Sequence, residues 1–132
     1  MKKILLLIFV GICFVAFCFI SAVHKIHGSW DHDISIRVKE NDNIYQLSAS
    51  YDRERSGRLQ RYIDAKLNTH HLFQNSRMDA TVTLDDKTNF YVKTSPGRLL
   101  IKLDKNTNDA AAYERIRELG EEIKQKLTEN EQ

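Results

Sequence analysis

Cysteine is missing from the whole polar part of this chain. Of its 132 residues only Cys13 and Cys18 are cysteines, and both lie in an apolar run near the N-terminus. The remainder therefore has no thiols for a disulfide framework, a thiolate zinc site or a cysteine nucleophile. Catalytic signatures are missing too: no Gly-x-Ser-x-Gly, His-Glu-x-x-His or glycine-rich phosphate loop occurs. We predict no cofactor, no metal and a non-catalytic protein, with an unrecognised hydrolase built around His70 or His71 as the lesser alternative.

An excess of charge is also missing. The formal net charge is +2, but Lys2, Lys3 and Lys25 flank the apolar run, and the other 17 basic residues stand against 18 acidic ones. A nearly neutral domain exerts no global electrostatic attraction on nucleic acid or on anionic lipid. We therefore expect no nucleic-acid partner.

The longest uncharged stretch separates Lys3 from Lys25, and residues 4–23 are apolar or small throughout. A helix of this length spans about 30 Å, the hydrocarbon thickness of one bilayer. Two lysines followed by such a run are typical of an export signal. We expect residues 1–23 to form a transmembrane signal-anchor or a signal peptide, and residues 24–31 to form a juxtamembrane linker.

Retention and cleavage of this segment predict different locations. Retention through residues 4–23 gives a single-pass protein of a bacterial-type cytoplasmic membrane with its C-terminal domain in the periplasm, and Trp30 suits the membrane interface. Cleavage near Ala22 gives a secreted or periplasmic protein, although the run is longer than a removable signal usually has. Lipidation is disfavoured because bulky residues precede both cysteines. We favour the anchor.

Alternation of apolar and polar residues predicts five strands in the domain at 32–128, which a short tail follows at 129–132. Two runs around the "NDN" turn form a hairpin over residues 33–51. Three more runs form a meander, and Pro96-Gly97 is the pair expected at the centre of a type II turn. The inward positions are Ile34, Ile36, Val38, Tyr45, Leu47, Ala49, Tyr51, Met78, Ala80, Val82, Leu84, Phe90, Val92, Leu99, Ile101 and Leu103.

Spacings of three and four residues predict two helices. The first carries Leu59, Tyr62, Ile63 and Leu67, begins near Asp52 or Ser56 as a cap, and ends near "NTHH". The second is capped by Asn108 or Thr107 and carries Ala112, Ile116, Leu119, Ile123 and Leu127. We predict an α+β, two-layer ββαβββα domain: a five-stranded antiparallel sheet with two helices on one face.

The sheet face opposite the helices is the predicted partner surface. Most of its side chains are polar, as on a solvent-exposed face, but Tyr91 and Leu100 add apolar mass on neighbouring strands. We expect a non-catalytic binding or assembly module that docks an envelope protein there; the alternative is a cleaved, exported protein that binds a small ligand or inhibits an enzyme. The oligomeric state is left open. The candidate surface consists of Arg37, Gln46, Thr81, Tyr91, Lys93, Leu100 and Lys102, flanked by Ser48 and Thr83.

Overall fold

The computed structural model describes residues 34–74 and 77–129. They form one five-stranded antiparallel sheet and two α-helices, which confirms the predicted α+β class and the ββαβββα element order. The residues before Ile34, including the predicted membrane segment, lie outside the described part; within it, no helix has the length and apolarity needed to cross a membrane. The strands are β1 (Ser35–Glu40), β2 (Ile44–Ser50), β3 (Met78–Thr83), β4 (Asn89–Ser95) and β5 (Arg98–Asp104), and the helices are α1 (Ser56–Leu67) and α2 (Ala110–Thr128).

The strands lie in the order β1-β2-β5-β4-β3, which the sequence left open. The predicted hairpin pairs β1 with β2, and the predicted meander pairs β3 with β4 and β4 with β5. β2 then pairs with β5 and joins the two pieces, so that β5 is the central strand. The chain leaves β2 through α1 and re-enters the sheet at its far edge as β3. Within the described residues, the edge strands β1 and β3 therefore have one neighbouring strand each.

Alternate residues of the three inner strands build a single hydrophobic core with both helices. Leu47, Val92 and Leu103 are fully buried on the sheet side. The apolar positions of α1 and α2 belong to the same cluster, so both helices cover the same face of the sheet, as predicted. The helical members of this cluster are Leu59, Ile63, Leu67, Ile116, Leu119, Ile123 and Leu127.

Two residues predicted to be inside are exposed. Val38 lies opposite Leu47 and Ala80 lies opposite Val92, so both project from the helix-covered side of the sheet. Nevertheless Val38 is 40% exposed and Ala80 is also exposed. They sit in the edge strands, where a side chain has a neighbouring strand on one side only. Alternation thus predicted the face correctly but not the depth of burial.

The start of α2 differs from the prediction. The side chain of Asp109, rather than that of Asn108 or Thr107, caps the helix by accepting a hydrogen bond from the Ala112 amide at 2.8 Å. Asn108 instead bridges to β4: its Oδ1 accepts from the amide of Asn89 at 2.8 Å, and its Nδ2 donates to the carbonyl of Asn89 at 2.9 Å. The polar residue closest to the helix caps it, and its neighbour fixes the preceding loop.

The β4–β5 turn is tied to the start of α1. Gly97 has φ +80°, as the third residue of a type II turn requires, and a Cβ there would approach the carbonyl oxygen of Tyr51 to 2.7 Å. Its amide donates to the hydroxyl of Ser56 at 2.8 Å, so that Ser56 serves the turn rather than capping its own helix. α1 ends at Leu67 with Asn68 in the left-handed conformation, at the predicted position.

Candidate functional site

The open face, defined as the outward side chains of the five strands opposite the helices, carries the predicted partner surface. Its residues are exposed or half-buried, so the described part of the chain leaves this face accessible. The register arranges them in rows that cross the sheet, in the order β1, β2, β5, β4, β3. One row is Arg37, Ser48, Leu100, Lys93 and Asp79, and the next is Lys39, Gln46, Lys102, Tyr91 and Thr81.

All seven predicted residues project from this open face, in these two adjacent rows. Tyr91 lies opposite Lys102, and Leu100 lies opposite Lys93. Tyr91 and Leu100 are therefore diagonal neighbours, about 7–8 Å apart at the backbone. Both are half-buried, as is Gln46, whereas the four remaining predicted residues are exposed. The sheet thus presents a small apolar centre with polar and cationic surroundings.

Asp79 is a member of this surface that the sequence analysis missed. The hydroxyl of Tyr91 donates to Asp79 Oδ1 at 2.7 Å, and Lys93 Nζ lies 3.5 Å from Asp79 Oδ2. The hydrogen bond from Tyr91, followed by the charge of Lys93, lowers the pKa of Asp79, and the same carboxylate raises the pKa of Tyr91. The tyrosine ring is thereby held against the sheet with its hydroxyl already engaged.

A hollow of about 430 Å³ lies at one end of the open face, beside the start of β1. Its floor contains Leu100 together with small side chains such as Ser48 and Ser50. Its sides carry Arg37, from β1, and Lys93, from β4, and Arg98 from β5 also lines it. Short residues on the central strands, surrounded by long ones, are what make the sheet surface concave there. Arg98 and the serines at positions 35, 50 and 95 were absent from the predicted surface.

Positive charge is concentrated on the open face. Among the residues that the structure describes, five basic side chains project from its strands against two acidic ones, Asp79 and Asp104. The rest of the described chain carries twelve basic and thirteen acidic residues. The near neutrality of the domain therefore conceals a basic sheet face. The five cations are Arg37, Lys39, Lys93, Arg98 and Lys102.

The described part of the loop after α1 carries the two histidines of the hydrolase alternative. His70 and His71 are exposed and have φ of +49° and +71°, and His71 contacts Gln74. Within the described residues, no serine or carboxylate is hydrogen-bonded to either histidine, and no group of three potential metal ligands occurs. Phe73 is fully buried in the core, and its amide donates to the buried carboxylate of Asp64 at 2.9 Å. Leu72 beside it is 39% exposed.

Two other carboxylates with a lowered pKa tie elements together on the helix-covered side. Glu122 of α2 accepts hydrogen bonds from the hydroxyl of Tyr62 and the ammonium of Lys66, both on α1, and these bonds lower its pKa. Glu40 of β1 accepts from Lys105 and Tyr113, which lowers its pKa in the same way. Such pairs join a helix to a helix or to a strand, and we interpret them as structural.

Comparison with models of known protein families, with curated proteins and with solved structures finds no match to this chain. A functional assignment therefore depends on the geometry of the open face and on the sequence pattern.

Proposed function

We propose that this protein is a non-catalytic binding module of the bacterial cell envelope whose open face docks a protein partner. In this proposal residues 4–23 anchor the chain in the cytoplasmic membrane and the domain faces the periplasm. The observation that carries the proposal is that Tyr91 and Leu100, both half-buried, are diagonal neighbours at the centre of an accessible, cation-rich sheet face. Aromatic anchors in polar surroundings are typical of the energetic centres of protein interfaces.

Position-specific photo-crosslinking in the native envelope tests the docking surface. A photoreactive residue at Thr81 or Lys102, both exposed on the open face, is expected to form a discrete adduct. The matched controls are Glu118 and Gln125, which are exposed on α2. Adducts of equal yield from the α2 positions, or none from the open face, would contradict the proposal.

The mass of the purified protein tests the anchor separately. An intact Met1 is expected for the retained segment, whereas a chain that begins at Val23 would refute it. The second candidate, a freely exported protein that binds a small ligand, draws on the hollow beside β1, whose volume of about 430 Å³ lies within the range of small-molecule sites. A cleaved N-terminus together with the absence of protein adducts would favour that second candidate.

A further inference from the structure

The positive charge of the open face indicates which kind of partner would bind there. We propose that the segment docking there is acidic: its carboxylates pair with Arg37 and Arg98 at the hollow, and an apolar side chain rests on Leu100. This inference depends on the proposed docking function and names the chemical class of the partner.

The arginines of the hollow are available for a partner. Within residues 34–74 and 77–129, neither Arg37 nor Arg98 forms an ion pair, although surface arginines elsewhere do, such as Arg115 with Asp86 and Arg117 with Glu114. Lys93 is held only loosely, at 3.5 Å from Asp79, and its side chain is 61% exposed. Arginine presents a planar set of donors that fits a carboxylate in a bidentate manner.

The hollow supplies an apolar contact between these charges. Leu100 and the short side chains of Ser48 and Ser50 form its floor, while Arg37 and Lys93 lie on opposite sides. A concave surface with an apolar floor receives a protruding side chain of a protein, whereas a bilayer presents a broad, flat surface. The shape therefore favours a protein segment over a membrane as the occupant.

The spacing of the cations favours an extended segment over a single small anion. Arg37 and Lys93 are separated by three strand-to-strand distances, or about 14 Å at the backbone. A small anion in the hollow contacts a few of these groups, but a chain with several carboxylates contacts the hollow and also reaches Lys39 and Lys102 in the adjacent row. An acidic segment can thus place carboxylates against the cations of both rows.

Fluorescence anisotropy of the full-length protein in nanodiscs of neutral lipid tests this proposal. The probe is a fluorescein-labelled peptide in which glutamate alternates with serine around one central leucine; a peptide with glutamine for glutamate is the control. We expect the glutamate peptide to bind at low ionic strength, and the double variant Arg37→Gln, Arg98→Gln to weaken binding about tenfold. The charge-matched variant Arg58→Gln, Arg61→Gln changes exposed residues of α1 and is expected to retain the affinity.

Three results would overturn the proposal: no binding of the glutamate peptide, equal binding of the glutamine peptide, or equal weakening by the two double variants. Loss of peptide binding only in nanodiscs that contain phosphatidylglycerol would identify the bilayer as the occupant and would overturn it as well. A result that refutes an acidic partner can be distinguished from one that refutes docking on the open face. An open-face crosslink that persists in Arg37→Gln, Arg98→Gln would leave docking intact and exclude an acidic partner.

Discussion

The two faces of the sheet consist of alternate residues of the same strands, and β5 shows how differently they are used. Leu99, Ile101 and Leu103 are 3%, 1% and 0% exposed beneath the helices, whereas Leu100 between them is half-buried on the open face. The helix-covered face is largely apolar, and polar groups at its margin, such as Glu122 with Tyr62 and Lys66, bind each other. The open face has a small apolar centre and arginines that no described residue pairs. One face is buried beneath the helices, and the other is the surface that we propose for contact with a partner.

Truncation of neighbouring leucines in β5 gives the largest expected difference between the faces. Leu103→Ala removes a fully buried side chain and is expected to lower the free energy of unfolding by about 2–5 kcal/mol. Leu100→Ala removes the same atoms from the open face and is expected to cost less than about 1 kcal/mol. Urea denaturation of the two variants measures both values. Equal losses would contradict the separation of the faces.

The contact of Gly120, on α2, with Tyr45, on β2, leads to a second, more specific prediction. A Cβ at Gly120 would lie 2.0 Å from the hydroxyl oxygen of Tyr45, which is buried and has no hydrogen-bond partner within the described residues. Gly120→Ala is therefore expected to destabilise the protein by about 1–3 kcal/mol. The double variant Tyr45→Phe, Gly120→Ala removes the clashing oxygen and is expected to recover most of that loss.

Thermal and urea unfolding of the two single variants and of the double variant give the free energies of unfolding for a double-mutant cycle. Tyr45→Phe alone is expected to be neutral or stabilising, since it removes an unsatisfied buried hydroxyl. Additive effects of the two substitutions would show that Gly120 is required for another reason.

The smallest expected effect is on the pH dependence of stability, which differs between the polar groups of the two faces. Glu122, between the helices, and Asp79, on the open face, both have a lowered pKa in the folded protein. Their stabilisation is therefore complete above the unfolded pKa, near 4.5 for Glu122, and is lost as the pH falls through the lower folded value. The stability difference between the wild type and Glu122→Gln is expected to shrink on acidification.

Asp79→Asn is the matched control for this experiment. The side chain of Asp79 is 59% exposed, more than that of Glu122 at 34%, so its interactions are more strongly screened and its substitution is expected to change the pH dependence less than Glu122→Gln does. Unfolding free energies measured across the acidic range test both variants. A constant offset between the wild type and Glu122→Gln at every pH would show that the carboxylate does not titrate as proposed.

The fold was predictable because its signals are local. Alternation identified all five strands and the faces of Leu47 and Ile101, and Pro96-Gly97 marked the last turn. The exposure of Val38 and Ala80 was not predictable, since it depends on which strands are at the edges, and alternation carries no strand order. Asn108 and Asp109 are adjacent, and either side chain can cap a helix. The choice of Asp109 depends on the residue at which α2 begins, and the sequence pattern does not define that residue.

The candidate site was predictable in outline but not in its contacts. Outward positions such as Tyr91, Leu100 and Arg37 follow from the strand period of two. The bond from Tyr91 to Asp79 depends on the register between two strands, and the hollow that Arg98 lines depends on the register across four. Sequence alternation does not define either register. Sequence reasoning also treated the domain as electrostatically neutral, because a total charge contains no information about the face that carries it.

The double variant Tyr91→Ala, Leu100→Ser tests the central claim most directly, because the claim is that the open face binds a partner without supporting the fold. The measurement is the yield of the adduct from a photoreactive residue at Thr81, with the unfolding free energy of the same protein determined in parallel. We predict loss of the adduct with a stability change of less than about 1 kcal/mol. An unchanged adduct in a stably folded variant would contradict the account.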